Sequence, residues 1–196
     1  MRIYLVRHAS HALLRRVLCG RVVDIGLDEG GKAQAQALGG YFSRERIDLL
    51  QTSPRRRAQE TASAIGAVAG RSAELAPALD EHDAGEWAGL EFAALARNER
   101  WQAWNEERRA VRPPRGESMR ELQWRVVDHI EDTRAQQIEC AVMLSHAEPI
   151  RAAIMHYRGV ALDDFLQVEV EPAGIHMLHV SRTTVEVHRL STMAIA

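Results

Sequence analysis

The chain has 196 residues, of which 46% are hydrophobic and 27% charged, and its net charge is −2. This length supports one domain with a full core, and the charge balance leaves no overall basic field to attract nucleic acid or an acidic membrane surface. No apolar run approaches a membrane span, and the start lacks the basic and apolar regions of a signal peptide.

Ile3-Tyr4-Leu5-Val6 is a short run of β-formers that ends on Arg7-His8, the pattern of a buried strand with an exposed carboxyl end. A loop over residues 10–28 carries Cys19-Gly20-Arg21. Gly30-Gly31 then precedes a helix over 32–42, where Ala33, Ala37, Leu38 and Tyr41 recur at helical spacing. Residues 47–51 read as a second buried strand. Thr52-Ser53-Pro54 signals a helix start with proline at the first helical position. That helix is expected from Arg55 to about Ala69, ending at Gly70. Residues 75–79 read as extended and lead into Asp80-Glu81-His82-Asp83. A helical pattern with Leu95, Trp101 and Trp104 spans about 91–109 and stops before Pro113-Pro114. Ser118-Met119-Arg120-Glu121 fits a capping box opening a helix to about Gln137. Ala141-Val142-Met143-Leu144 is again a buried strand and runs into Ser145-His146, after which Pro149 suits the first turn of a helix to about His156. Two β-rich runs, 175–180 and 184–188, close the pattern. Strands alternating with helices predict an α/β three-layer sandwich, a mostly parallel central sheet with helices on both faces. No linker divides it, so residues 1–196 read as one domain, with 81–115 an insertion over one end of the sheet. Cys19 and Cys140 read as reduced thiols of a cytoplasmic protein.

In open α/β sheets, ligands bind beyond the carboxyl ends of the strands. His8 and His146 each follow a buried strand, which separates them from His11, His82, His129, His156, His176, His179 and His188, read as structural or exposed. Arg55-Arg56-Arg57 falls in the first turn of a helix, where the partial positive charge of the amino end disfavours cations. A bound phosphate explains Arg57 there. Arg55 and Arg56 read as a solvated turn, with Arg56 paired to Glu60. Glu81 precedes a tight, aromatic-anchored loop of Gly85, Trp87 and Gly89.

These segments match a family in order: Leu5-Val6-Arg7-His8, then Thr52-Ser53-Pro54-Arg55-Arg56-Arg57-Ala58-Gln59-Glu60-Thr61-Ala62, then Glu81 through Gly85-Glu86-Trp87-Ala88-Gly89, then Gly116-Glu117-Ser118, and Ser145-His146 with Ile150-Arg151. The chain resembles the histidine phosphatase superfamily, in its phosphoglycerate-mutase-like branch, over nearly its whole length. The resemblance implies that His8 is the nucleophile that takes the phosphoryl group. It implies that Arg7, Arg57 and His146 complete the phosphate pocket, that Glu81 donates a proton to the leaving group, and that no metal or other cofactor takes part. Gly20 and Arg21 resemble part of a mutase substrate loop. A homodimer is a family-level expectation. Ala9 and Ala147 stand where glycine is usual, Glu148-Pro149 replaces a glycine and an apolar residue, Leu13 and Leu14 occupy the region of a common asparagine, and Ala88 replaces a common glutamate.

A cysteine phosphatase needs arginine six residues after its cysteine, where this chain has Ile25 and His146. No Asp-x-Asp nucleophile, zinc-ligand spacing, P-loop or dinucleotide glycine fingerprint is present. The favoured reading is a phosphomonoester hydrolase acting on a small phosphorylated metabolite. Phosphoglycerate-mutase-type transfer is the alternative, disfavoured because the longer mutase motifs are missing. A non-catalytic binding protein of the same fold is the third. Specificity is expected in 81–115 and 10–28, since loops vary on a fixed scaffold.

Overall fold

Alternate residues of the first strand enter two different cores. Ile3 and Leu5 pack with one cluster, Tyr4 and Val6 with another. A strand buried on both faces belongs at the centre of a sheet covered on both sides. The computed structural model describes residues 1–181 and 184–190, and gives that three-layer arrangement. Strand β1 (Arg2–Arg7) lies centrally, beside β4 (Cys140–Ser145), and β2 (Leu49–Thr52) and the short β3 (Glu74–Leu75) continue the sheet outward. These four are parallel, while β5 (Ile175–Val180) and β6 (Val185–Leu190) extend the other side as an antiparallel pair.

Helices α1 (Glu29–Phe42) and α2 (Arg56–Ala69) cover one face, with Leu38, Phe42 and Ile65 fully buried. Helices α5 (Met119–Arg134) and α6 (Ala147–Arg158) cover the other through Met119, Leu122, Val126 and Ile154. The Ser118 box forms as expected, with the Ser118 hydroxyl accepting from Glu121 N and the Glu121 carboxylate accepting from Ser118 N.

Several boundaries move. Helix α1 starts at Glu29, capped by Asp28, so Gly30 and Gly31 lie inside it. Gly31 is there because the helix presses on the preceding loop: a Cβ would stand 2.0 Å from the Ser10 carbonyl oxygen. Helix α2 is preceded by Arg55, and Pro54 falls outside it. Ser53 caps no helix: the cap position is Arg55, whose N–H donates to the Ser53 hydroxyl at 3.2 Å. Residues 77–79 wind into a 3₁₀ turn where an extended run was expected. The helical pattern over 91–109 breaks into α3 (Phe92–Leu95) and α4 (Glu99–Glu106), with Asn98 capping the second.

Two substitutions separate these effects. Ser118→Ala should lose a cap worth about 1 kcal/mol, lowering Tm by about 2–4 °C. Gly31→Ala should cost more, about 1–3 kcal/mol from overpacking on top of a displaced Ser10 backbone. Thermal unfolding ranks them, and a smaller loss for Gly31→Ala contradicts the packing argument.

Candidate active site

In the parallel pairing of β1 with β4, Arg7 lies opposite Ser145, so His8 and His146 leave the sheet side by side. Their rings stand 5.0 Å apart between centroids, at 61°. His8 N donates to Ser145 O at 3.0 Å and Ser53 N to Leu144 O at 2.9 Å, so three neighbouring strands end together. His8, Ser53, Arg57 and His146 are all buried.

His8 is held in one tautomer. Arg57 Nε, always a donor, approaches His8 Nε2 at 3.3 Å. Nε2 is therefore the acceptor, the hydrogen sits on Nδ1, and Nδ1 donates to the Ala9 carbonyl at 2.8 Å. Burial, with Arg57 and Arg7 adding to it, pushes the His8 pKa well below the usual 6.5. The imidazole is thus neutral, with its lone pair on Nε2. Helix α2 fixes both partners one turn apart, since Thr61 Oγ1 accepts from Ala9 N at 3.0 Å and donates to Arg57 O at 2.8 Å.

Two guanidiniums flank the ring. Arg7 gives Nη1 to Val170 O at 2.7 Å and Arg57 gives Nη2 to Gly20 O at 3.0 Å. Arg7 Nε, Arg57 Nη1 and His146 Nδ1 are buried without a hydrogen-bond partner among the described residues. His146 shares its other nitrogen with Ser53 Oγ at 2.7 Å. Unpartnered buried nitrogens on adjacent cationic or imidazole groups suit an anion with several acceptor oxygens.

Glu81 closes the cluster. Its Oε2 lies 3.6 Å from His146 Nδ1 and 3.8 Å from Arg57 Nη2, with the side chain 17% exposed. Burial raises its pKa above the usual carboxylate value, against the opposing pull of Arg57. The backbone is clamped from behind: the Glu81 carbonyl accepts from Arg21 Nε at 2.7 Å and from Arg125 Nη2 at 3.1 Å.

All five expected residues therefore meet, and four of them, Arg7, His8, Arg57 and Glu81, line a cavity of about 350 Å³. Gly20 lines it too, whereas Arg21 does not; its guanidinium is engaged by the Glu81 carbonyl and by Glu117 at 3.0 Å. Arg56 pairs with Glu60 at 2.7 Å as expected, but Arg55 is no solvated residue: it holds Asp80 at 3.0 Å and the Arg21 carbonyl at 2.7 Å. His11, read as structural or exposed, is buried and lines the cavity 5.4 Å from the His8 ring. Ser53, Asp80, Val170 and the pair Arg108–Glu148 went unassigned, since a hydroxyl, a carbonyl or an ion pair carries no local pattern.

The sequence matches the model of the histidine phosphatase superfamily (branch 1) over residues 3–192. It is 29% identical over 182 residues to phosphoserine phosphatase 1 of Hydrogenobacter thermophilus, covering 91% of this chain and 86% of that one. It is 31% identical over 194 residues to a 2,3-bisphosphoglycerate-dependent phosphoglycerate mutase of Bartonella quintana, covering 89% of each. Among solved structures, the phosphoserine phosphatase of Entamoeba histolytica superposes with a TM-score of 0.87 at 19% identity, over 100% of this chain and 99% of that one.

An anion that satisfies these nitrogens should stabilise the fold. Orthophosphate at 100 times its dissociation constant adds about 2.7 kcal/mol, read as a rise in Tm. Arg57→Lys should lose most of that rise, because an ammonium cannot reproduce the planar fork. An undiminished shift in Arg57→Lys would remove Arg57 from the anion site.

Proposed function

The chain belongs to branch 1 of the histidine phosphatase superfamily, and on that premise we propose that it is a metal-independent phosphomonoester hydrolase working through a phosphohistidine on His8. The observation that carries this reading is the His8 ring itself, neutral, locked with its lone pair on Nε2, and flanked by two buried arginines. Nε2 attacks phosphorus while the ester oxygen leaves on the far side. The charge on the transferring group spreads over its equatorial oxygens, where Arg7 and Arg57 stabilise it as a bound cation does elsewhere. In this reading Ser53 gives its one hydroxyl proton to His146 Nε2, which keeps a hydrogen on Nδ1 for a phosphoryl oxygen.

Glu81 gives its proton to the leaving alkoxide, which departs as the alcohol. The resulting carboxylate then takes a proton from water, whose oxygen attacks phosphorus and breaks the bond to His8. Orthophosphate and neutral His8 are released, with the proton back on Glu81. The raised pKa of Glu81 supports the first half of this cycle, and the negative charge of a bound ester raises it further. Residues 81–115 act as a cover that selects the substrate, a small phosphorylated metabolite. The mutase alternative keeps weight through the 31% identity to the Bartonella enzyme; conversion of 3-phosphoglycerate to its isomer without net phosphate release decides for it. We propose a cytoplasmic location on the ground of two buried, unpaired thiols, Cys19 and Cys140. No described helix is long and apolar enough to cross a membrane.

Quenching the reaction with labelled substrate should leave label on His8, and His8→Ala should abolish both label and turnover; label on any other residue refutes the nucleophile.

The role of Glu81 has its own signature. Glu81→Gln should slow the first step about 10²–10⁴-fold for an alkyl ester and far less for nitrophenyl phosphate, whose phenolate leaves unaided. His8 loses its lone pair only well below pH 6.5, and Glu81 loses its proton only above its raised pKa. The kcat/KM for alkyl esters should therefore fall as pH rises through the raised pKa of Glu81. Glu81→Gln should flatten that basic limb. Equal losses for both ester types, with the limb intact, would take the proton-donor role from Glu81.

A further inference from the structure

Much of the cavity lining takes no part in the proposed chemistry, and most of that part is apolar. Val17, Leu18, Trp87, Phe92, Trp101 and Trp104 face the space that opens from His8. Trp101 meets Trp87 edge-on at 5.2 Å between centroids, and lies 5.1 Å from Trp104 and 6.1 Å from Phe92. Trp87 and Trp104 are buried, whereas Trp101 and Phe92 keep part of their surface free. The wall is formed in advance, because backbone bonds join its two segments: Gly89 N to Leu18 O at 2.7 Å, Leu18 N to Leu90 O at 2.9 Å and Phe92 N to Arg16 O at 3.0 Å.

The cations of this wall are already matched. Arg108 lies over the rings of Trp104 at 4.0 Å and Phe165 at 3.4 Å. Its two terminal nitrogens go to Glu148 at 2.8 Å and Asn105 at 3.0 Å, so its charge is matched by Glu148, while its Nε is buried without a partner among the described residues. Glu148 also takes Arg151 at 2.6 Å, and these two arginines hold its pKa down to about 2. Arg15 stands 80% exposed with Glu171 at 3.6 Å, a geometry that contributes little to affinity. A substrate carboxylate needs a desolvated cationic fork of its own. Beyond Arg7 and Arg57, which the phosphate uses, the buried cation of this lining is Arg108, and its charge is already neutralised by Glu148 at 2.8 Å.

Resting on the hydrolase reading above, we propose that the substrates are phosphomonoesters of bulky, uncharged, largely apolar alcohols, aromatic ones included, and that Trp101 and Phe92 set the preference. Such a leaving group covers the aromatic wall, while serine or glycerate leaves it wet and buries a carboxylate without a partner. The chain thus departs in substrate class from the phosphoserine and phosphoglycerate named for its relatives.

The test is kcat/KM for benzyl phosphate against phosphoserine and 3-phosphoglycerate. Each carries its phosphate on a primary carbon oxygen. The ammonium group of serine makes its alkoxide the less basic one, so leaving-group chemistry works against the expected order. Benzyl phosphate should be favoured by about 10²-fold, the scale on which apolar pockets discriminate. Equal or better turnover of either carboxylate ester overturns the proposal. Trp101→Ala should reduce the benzyl-to-phosphoserine ratio about tenfold; should that variant fail to fold by circular dichroism, the partly exposed Phe92→Ala takes its place. An unchanged ratio in a folded variant overturns the assignment to this wall. No turnover of any ester, with no label on His8, overturns the hydrolase reading and this one with it.

Discussion

A guanidinium that is 2% exposed sets the terms for the rest of the site. Removing a charge of that size from water costs several kcal/mol even after the protein relaxes. Arg57 recovers part of this from the Gly20 carbonyl at 3.0 Å and from Glu81 at 3.8 Å, yet one terminal nitrogen keeps no acceptor. Its neighbours answer to it. Gly20 adopts φ +52, and a side chain there would crowd Ala88 at 3.1 Å, so the loop can aim a carbonyl at the cation. His8 must turn an acceptor toward Arg57, which dictates its tautomer. That 3.3 Å contact is long, and a phosphoryl group competes for the guanidinium with stronger, charged oxygens. In the proposed cycle, the charge that keeps His8 neutral is therefore the charge that receives the group His8 attacks.

In its proposed role Glu81 faces the opposite demand, since it must sit beside a cation and still keep a proton. The arginines nearest its backbone leave the carboxyl free to do so. Arg21 and Arg125 both bond the Glu81 carbonyl, and Glu117 neutralises them at 3.0 Å and 2.6 Å. Asp80 takes Arg55 at 3.0 Å. The loop is fixed through its main chain, and the local cations are matched by other acids. Arg57 pulls on the carboxyl directly, as do the His82 N–H, which donates to Glu81 Oε1 at 2.8 Å, and Arg7, and burial outweighs them.

What the sequence disclosed was whatever obeys a short period or a local cap. The runs ending at His8 and His146 read as strands because central parallel strands are apolar on both faces, and their pairing in register brings the histidines together. The Ser118 box was legible for the same reason, since both of its bonds span three residues. Contacts across the fold left no such trace. Val170 lies 163 residues from the Arg7 it accepts from, and Ser53 lies 93 from His146. Arg55 looked solvated because its acid partner, Asp80, arrives from another segment. Gly31 was placed ahead of the helix because its close neighbour, Ser10, belongs to another loop. The helical period over 91–109 was real in composition, but tertiary contacts of Trp101 and Trp104 with Trp87 reward two short helices set against the cavity.

Helix caps show where stability yields to chemistry. Asp28, Asn98 and Ser118 each accept a backbone N–H at the start of α1, α4 and α5. The two helices that start at the site have no such bond: the cap position of α2 is Arg55 and that of α6 is His146. A side-chain cap contributes about 1 kcal/mol, and arginine additionally opposes the helix dipole. Ser53 lies three residues before the start of α2, where its hydroxyl bonds His146 at 2.7 Å and accepts from Arg55 N at 3.2 Å. A conflict between local rules and local residues, read at Arg55-Arg56-Arg57 from the sequence alone, thus marks the place where a helix start has been given over to holding an anion.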